Sequence, residues 1–268
     1  MGSEMCIRDS YNIQMLGSLF SSPKSKSPKS AYQQSITLEI NGQDVPVQIK
    51  HNDRAKRYTL RMPQVGSTPI LTIPKYGTHD EAVSFARRHT GWLAARIADR
   101  PQLTAFEPDV LMPLRGEPHR LVSSGKARGV VHVIDEEPAP LISVSGDPRH
   151  FERRVTDWLK EQARADITAA CHYHANNLGL HFRSISIRDQ RTRWGSCSTG
   201  ARLNFSWRLI LAPREVLDYV AAHEVAHLQE MNHKPQFWAL VEKTCPEMER
   251  HKFWLRKHGT ALHSYGSL

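Results

Sequence analysis

From residue 35 onward the chain runs in short alternations of apolar and polar residues, interrupted by stretches with a helical period. Ile36-Thr37-Leu38-Glu39-Ile40 alternates as a half-buried strand does. The Asn41-Gly42 pair that follows is a hairpin signal, because both residues accept the positive φ of a tight two-residue turn. Val45 to Lys50 supplies the return strand. Tyr58 to Met62 and Ile70 to Ile73 continue the pattern, bounded by Gly66, Pro74 and Gly77. Thr78-His79-Asp80-Glu81 then has the capping-box form, and Val83, Ala86, Trp92, Leu93 and Ile97 make one helical stripe behind it. Pro101 to Pro108 is a connection. Val110 to Leu114, Arg120 to Ser123, Val130 to Ile134 and Leu141 to Val144 are further short strands, with turns at Arg115-Gly116 and Glu136-Glu137-Pro138.

A long helix is predicted from about Arg149 to Asn177, with Phe151, Val155, Trp158, Leu159 and Ile167 inward and Gly179 just past its end. Ser184 to Arg188 and Leu203 to Trp207 alternate again around the turn residues Ser198-Thr199-Gly200, which predicts a hairpin. Leu209 to Leu211 lead into Pro213, a suitable first residue for a helix that Leu217, Val220 and Ala221 anchor to the core. Phe237, Trp238, Leu240 and Val241 mark a packing helix ended by Pro246, and Phe253, Trp254 and Leu255 are expected to close the core. The pattern is α+β. It divides into a basic tail over 1–34, a β-rich N-terminal wing with one helix over 35–148, and a second domain over 149–262.

Composition narrows the class. With 40% hydrophobic and 24% charged residues over 268 positions, the chain is an ordinary globular one, long enough to bury a sizeable core. It lacks an apolar run of about 18 residues, so no membrane span is expected. Arg8, Asp9 and Asn12 break any apolar signal-peptide stretch. Ser22 to Ser30 is polar, basic and interrupted by proline, as disordered tails are, and Met5 to Ser10 resembles translated adapter sequence. The cysteines Cys6, Cys171, Cys197 and Cys245 are scattered without a C-x-x-C pair, which argues against a zinc ribbon or a disulfide framework and for a reducing, cytoplasmic setting. A net charge of +9 favours anionic partners without naming one.

The chemistry concentrates in Ala221-Ala222-His223-Glu224-Val225-Ala226-His227-Leu228-Gln229-Glu230-Met231-Asn232-His233. Each helical residue turns about 100°, so His223 and His227 share one face and can share a tetrahedral metal. Glu224, one step around, suits a base that reaches water on the metal without binding the metal itself. Catalytic zinc takes three protein ligands and keeps a position open, and His233 is the candidate third. For that the helix must end early, and Asn232 is the residue expected to allow the turn through a left-handed conformation. Composition alone would produce H-E-x-x-H in roughly one such chain in twenty. The third histidine and the apolar helix make chance a poor account. His172 and His174 point to different faces and lack an acidic partner motif. The N-terminal wing contains no metal-ligand or nucleophile spacing.

Arg193-Trp194-Gly195-Ser196-Cys197, Leu203-Asn204, Trp207 to Pro213, Tyr219, His223-Glu224, His227, Asn232-His233 and Phe237-Trp238 together resemble the YgjP-like metallopeptidase family, which is similar to the SprT-like and WLM-type zincins. The resemblance spans about Ser35 to Gly259. It implies a zincin-like metallohydrolase core, a metal helix packed on a small sheet, with Zn2+ held by His223, His227 and His233 and Glu224 as catalytic acid and base. The spacing also fits H-E-x-x-H-x-x-G-x-x-H, but Glu230 stands at the glycine position, which favours the YgjP-like assignment.

Peptide-bond hydrolysis is the leading expectation, with an unfolded or extended peptide laid along the hairpin edge. Arg183, Arg188, Arg191 and Arg193 put positive charge near the site, and arginine suits phosphate recognition, so nucleoside triphosphate hydrolysis is the alternative. Arg191, Arg193, Trp194 and Asn232 are the candidate substrate-binding residues. A non-catalytic zinc module that binds nucleic acid is the third reading, and it would need a fourth protein ligand, for which Cys197 is the candidate donor.

Overall fold

The computed structural model describes residues 34–62, 68–99, 101–136 and 139–266. The expected tail up to residue 33, Cys6, Gly66 and Glu137-Pro138 lie outside them. The described residues form a mixed α and β structure in two compact units that divide between Gln102 and Leu103. Among these residues no helix is long and apolar enough to cross a membrane.

In the first unit, strands β1 (Gln34–Ile40), β2 (Gln43–Asn52), β3 (Thr59–Arg61) and β4 (Ile70–Pro74) form a sheet of order β1-β2-β4-β3. The β1–β2 hairpin turns through Asn41 (φ 51°) and Gly42 (φ 75°), as the Asn-Gly pair predicts. Strand β4 pairs parallel with β2 and antiparallel with β3. Behind the sheet lie helices α1 (His79–Arg88) and α2 (Thr90–Ala98). The Thr78 hydroxyl accepts from the Glu81 N–H while Glu81 accepts from the Thr78 N–H, completing the capping box. Leu38, Ile40, Val47, Ile49, Leu71 and Ile73 from the sheet meet Ala82, Ala86 and Leu93 from the helices in a core of their own.

The expected single helix is two. At His89 (φ −109°, ψ 16°) the imidazole Nδ1 donates to the Phe85 carbonyl, and the Thr90 hydroxyl donates to the Arg87 carbonyl. These side chains take up carbonyls that a continuous helix would use, and the axis breaks there.

The second unit opens with β5 (Leu111–Leu114), β6 (Glu117–Ser123), β7 (His132–Ile134) and β8 (Leu141–Val144), in the order β5-β6-β8-β7. This sheet has the connectivity of the first: a hairpin with two positive-φ turn residues, here Arg115 and Gly116, then a parallel and an antiparallel pairing. Helix α3 (Phe151–Leu178) follows and ends at Gly179 (φ 68°). Its opening Phe151-x-Arg153-Arg154-x-Thr156-x-Trp158-Leu159 repeats Phe85-x-Arg87-Arg88-x-Thr90-x-Trp92-Leu93. Leu93 and Leu159 are both fully buried in their respective cores. Sheet and helix together are an internal duplication, which the sequence reading missed because the strand periods in the two copies carry different residues.

The boundary expected at 148/149 is therefore wrong. Met112, Leu114, Leu121, Ile142 and Val144 of this sheet belong to the same core as Val155, Leu159 and Ile167 of α3. The turn is also tied into that core by backbone bonds from Arg115 N to Ile210 O and from Gly116 N to Leu211 O, and by the Arg115–Asp166 ion pair at 2.7 Å.

The third sheet holds β9 (Ser184–Arg188), β10 (Gly195–Cys197) and β11 (Arg202–Ser206), in the order β10-β11-β9. Here the expected hairpin is corrected: the 184–188 strand pairs parallel with β11, and the turn at 198–201 joins β11 to β10 instead. All three residues of β10 are buried, so no alternation marks them as a strand. A short 3-10 turn at Trp207–Leu211 leads to α4 (Arg214–Ala226), with Pro213 just before the helix; α5 (Pro235–Thr244) and α6 (Met248–Leu262) complete the unit. Buried Arg208 pairs with Asp189 at 2.9 Å and donates to the carbonyls of Leu262 and Tyr265, fastening the end of α6 to the segment after β9. Leu255 is in the core, whereas Phe253, expected beside it, is 55% exposed because it lies on the outer face of α6.

Two glycines differ in both space and backbone conformation. At Gly116 (φ 85°) an added Cβ would lie 3.0 Å from Pro213 Cα, and at Gly91 it would meet nothing within 4 Å. Gly116→Ala is expected to cost about 1–2 kcal/mol, and Gly91→Ala to stabilise by about 0.5–1 kcal/mol, read by urea denaturation.

Candidate metal centre

Helix α4 is buried on nearly every side, with Val216, Leu217 and all residues from Tyr219 to Ala226 inside. A helix that is apolar all round is a central one. Helices α3, α5 and α6, strand β10 and the 3-10 turn pack against it. His223 and Glu224 occupy its last full turn, and His227 is the first residue beyond it.

The chain then tightens: the N–H groups of Gln229 and Glu230 both bond the Ala226 carbonyl. Asn232 was expected to turn the chain in a left-handed conformation, but it is not among the positive-φ residues. His227 itself stays right-handed (φ −65°, ψ −14°), and no residue from 227 to 233 has a positive φ. The segment delivers His233 to the other two histidines, just ahead of Pro235 in the first turn of α5.

The three imidazoles converge through their Nε2 atoms, with His223 to His227 at 3.2 Å and His223 to His233 at 3.0 Å. Among the described residues these three are the group able to hold a metal ion. Ligand bonds of 2.0–2.1 Å in a tetrahedron put neighbouring nitrogens about 3.3 Å apart, so the spacing fits a single zinc-sized cation. His227 Nδ1 lies 2.9 Å from the Glu230 carbonyl. A carbonyl can only accept, so the proton sits on Nδ1 and the Nε2 lone pair faces the centre.

Aromatic rings fix the imidazole orientations. Phe237 stacks on His227 with centroids 4.4 Å apart and sets its edge against His223 and His233, each at 4.7 Å. Trp238 stacks on His233 at 5.6 Å, and Lys252 Nζ lies 4.2 Å from the Trp238 ring centroid.

Burial keeps the donors neutral. It pushes His223 well below the usual histidine range and His227 down to about 4, and it lowers His233, with the Lys252 charge adding to the effect. Protons therefore do not compete for these nitrogens at neutral pH. Burial has the opposite effect on Glu224, raising its carboxyl well above the carboxylate range against the opposing charge of Arg193. Neither Glu224 oxygen has a hydrogen-bond partner among the described residues. An orphaned buried carboxyl on the residue that follows one of three convergent imidazoles suits a metal with its bound water.

The YgjP-like metallopeptidase domain model matches residues 56–258. The chain belongs to this family. A solved structure similar to part of it, the metallopeptidase zymogen abylysin of Pyrococcus abyssi, has 23% identity over 38% of this chain and 99% of that one, with a TM-score of 0.33, a likeness too low to carry an argument. No curated protein matches the chain. YgjP-like membership makes it a metallopeptidase-type hydrolase and implies a metal ion.

The candidate substrate contacts fare unevenly. Arg191 and Arg193 are half-buried on the approach to β10, and Asn232 is exposed beside His233. Trp194 is fully buried, stacked on His263 at 4.7 Å, so it is a core residue and the expectation that it binds substrate is corrected. Cys197 is likewise a core residue. It lies outside the histidine group, and burial pushes its thiol up to about 12. Lys252 was missed, since an isolated lysine on a surface helix carries no signal in sequence.

A carboxyl whose folded pKa exceeds its unfolded value contributes stability below the unfolded value and loses it as pH rises. In metal-stripped protein, Glu224→Gln is therefore expected to raise the urea midpoint above wild type at pH 8. The gap should close toward pH 4.5, and a gap independent of pH would contradict the assignment.

Proposed function

We propose that the chain is a zinc-dependent peptidase with a zincin-like core, in which His223, His227 and His233 hold the metal and Glu224 is the general base. The observation that carries this reading is the convergence of three neutral imidazole Nε2 atoms beside a buried carboxyl without a partner, in a YgjP-like metallopeptidase chain. When bound, zinc lowers the pKa of a water and polarises the scissile carbonyl. Glu224 takes a proton from the attacking water on a carboxylate oxygen and passes it to the leaving amine nitrogen. His227 is held in one tautomer by Glu230 O, and Phe237 contacts all three imidazole rings. His233, on the solvent side, marks the face from which an extended peptide approaches. Three donors leave one tetrahedral position open, which favours catalysis over a purely structural zinc module. The buried free thiols of Cys171, Cys197 and Cys245 fit a cytoplasmic setting.

Removing one of three ligands should release most of the metal, so His233→Ala is expected to lose zinc by elemental analysis, whereas Glu224→Gln keeps zinc and loses turnover of an unfolded protein by at least about 100-fold. Full zinc occupancy in His233→Ala would sink the ligand set. Phosphorus NMR of a nucleoside triphosphate incubated with the zinc-loaded protein tests the other substrate class. Pyrophosphate release that Glu224→Gln abolishes would move the reading to phosphoanhydride hydrolysis at this site.

A further inference from the structure

The glycine at the start of β10 stands closer to Glu224 than any side chain would permit. A Cβ built on Gly195 would lie 2.5 Å from Glu224 Oε1, 2.6 Å from Cγ and 2.8 Å from Cδ. These are distances at which something must shift. The three contacts fall on the last three positions of one side chain, so no rotation of the carboxyl alone relieves them.

Neither partner has room to retreat. Glu224 is fully buried on α4, and that helix packs against α3, α6 and β10. On the strand side, Gly195 is paired with Phe205 of β11 and flanked by buried Trp194 and Ser196. The φ of Gly195 is not in the left-handed region, so a side chain is excluded by space and not by backbone conformation.

We propose that Gly195 is the positioning residue for Glu224: by presenting bare backbone it lets the carboxyl lie flat against β10, and so sets its distance from water at the three histidines. This rests on the metallopeptidase reading above. Any side chain at 195 moves the carboxyl by something on the order of 1 Å, and displacements of that size in a reacting group cost up to about 100-fold in rate. The three heavy atoms nearest a Cβ at 195 all belong to Glu224 and none to a histidine, so the histidines keep their arrangement. The loss therefore falls on the chemical step and not on metal binding.

The test is a double-mutant cycle on the full chain with three readouts: zinc content, kcat and KM on an unfolded peptide, and the urea midpoint of metal-stripped protein. Gly195→Ala is expected to retain zinc, to lose kcat about 10- to 100-fold with KM changed less than about 3-fold, and to lower the urea midpoint. In a Glu224→Ala background, where all three contacting atoms are gone, Gly195→Ala should lower the midpoint by less than half as much. Equal midpoint losses in both backgrounds, wild-type kcat in Gly195→Ala, or loss of zinc together with activity would each overturn the proposal. Should Gly195→Ala fail to fold, a folded Gly195→Ala/Glu224→Ala protein supports the contact and an unfolded one overturns it. Full activity of Glu224→Gln alongside an intact midpoint coupling would instead reject the peptidase mechanism, and with it the catalytic meaning of the contact.

Discussion

A carboxyl group shut away from water without a hydrogen-bond partner is expensive, and a protein keeps one only where the surrounding packing leaves it no exit. Glu224 is that group, and the second unit is built to enclose it. Helix α4 carries it at the centre of the core, α3 and α6 close two sides, and β10 closes a third with the one residue type that has no side chain to interfere. Burial that raises the carboxyl also lowers His223 and His227, so one enclosure produces both a carboxyl of higher proton affinity and neutral imidazoles. Of the three histidines, His233 alone is exposed.

That enclosure depends on elements far from the motif in sequence. The β5–β6 turn bonds the carbonyls of Ile210 and Leu211, which sets where the 3-10 turn stops and α4 begins. Arg115 reaches from the same turn to Asp166 on α3, and Arg208 fastens the end of α6 near Tyr265. These half-buried and buried arginines act as cross-links between segments, and their partners are carboxylates or carbonyls placed to accept them. The sheet-and-helix module that supplies the β5–β6 turn occurs a second time, in the first unit, with the same strand order and the same Phe, Arg, Arg, Thr, Trp, Leu pattern on its helix. In the second unit that module has been drawn into the core of the hydrolase, whereas in the first it closes a core of its own.

What local chemistry controls was legible in the sequence. The Asn41-Gly42 and Arg115-Gly116 turns, the Thr78–Glu81 capping box, the long helix stopped at Gly179 and the placing of His223 and His227 on one helix face follow from short-range rules, since each depends on residues within a few positions or on one helical turn. What the tertiary structure alone decided is non-local. Strand β10 is invisible in sequence because its three residues are all buried, and the parallel partner of β9 cannot be read from alternation because period 2 carries no information about direction. Trp194 looked like a binding residue next to two arginines, yet packing turned it inward against His263. The break at His89 came from side chains competing for helix carbonyls, and the sheet of β5–β8 joined the hydrolase core because its apolar face meets α3. The motif from His223 to His227 could announce the chemistry, but the glycine that stands against the carboxyl lies on β10, brought there by the fold.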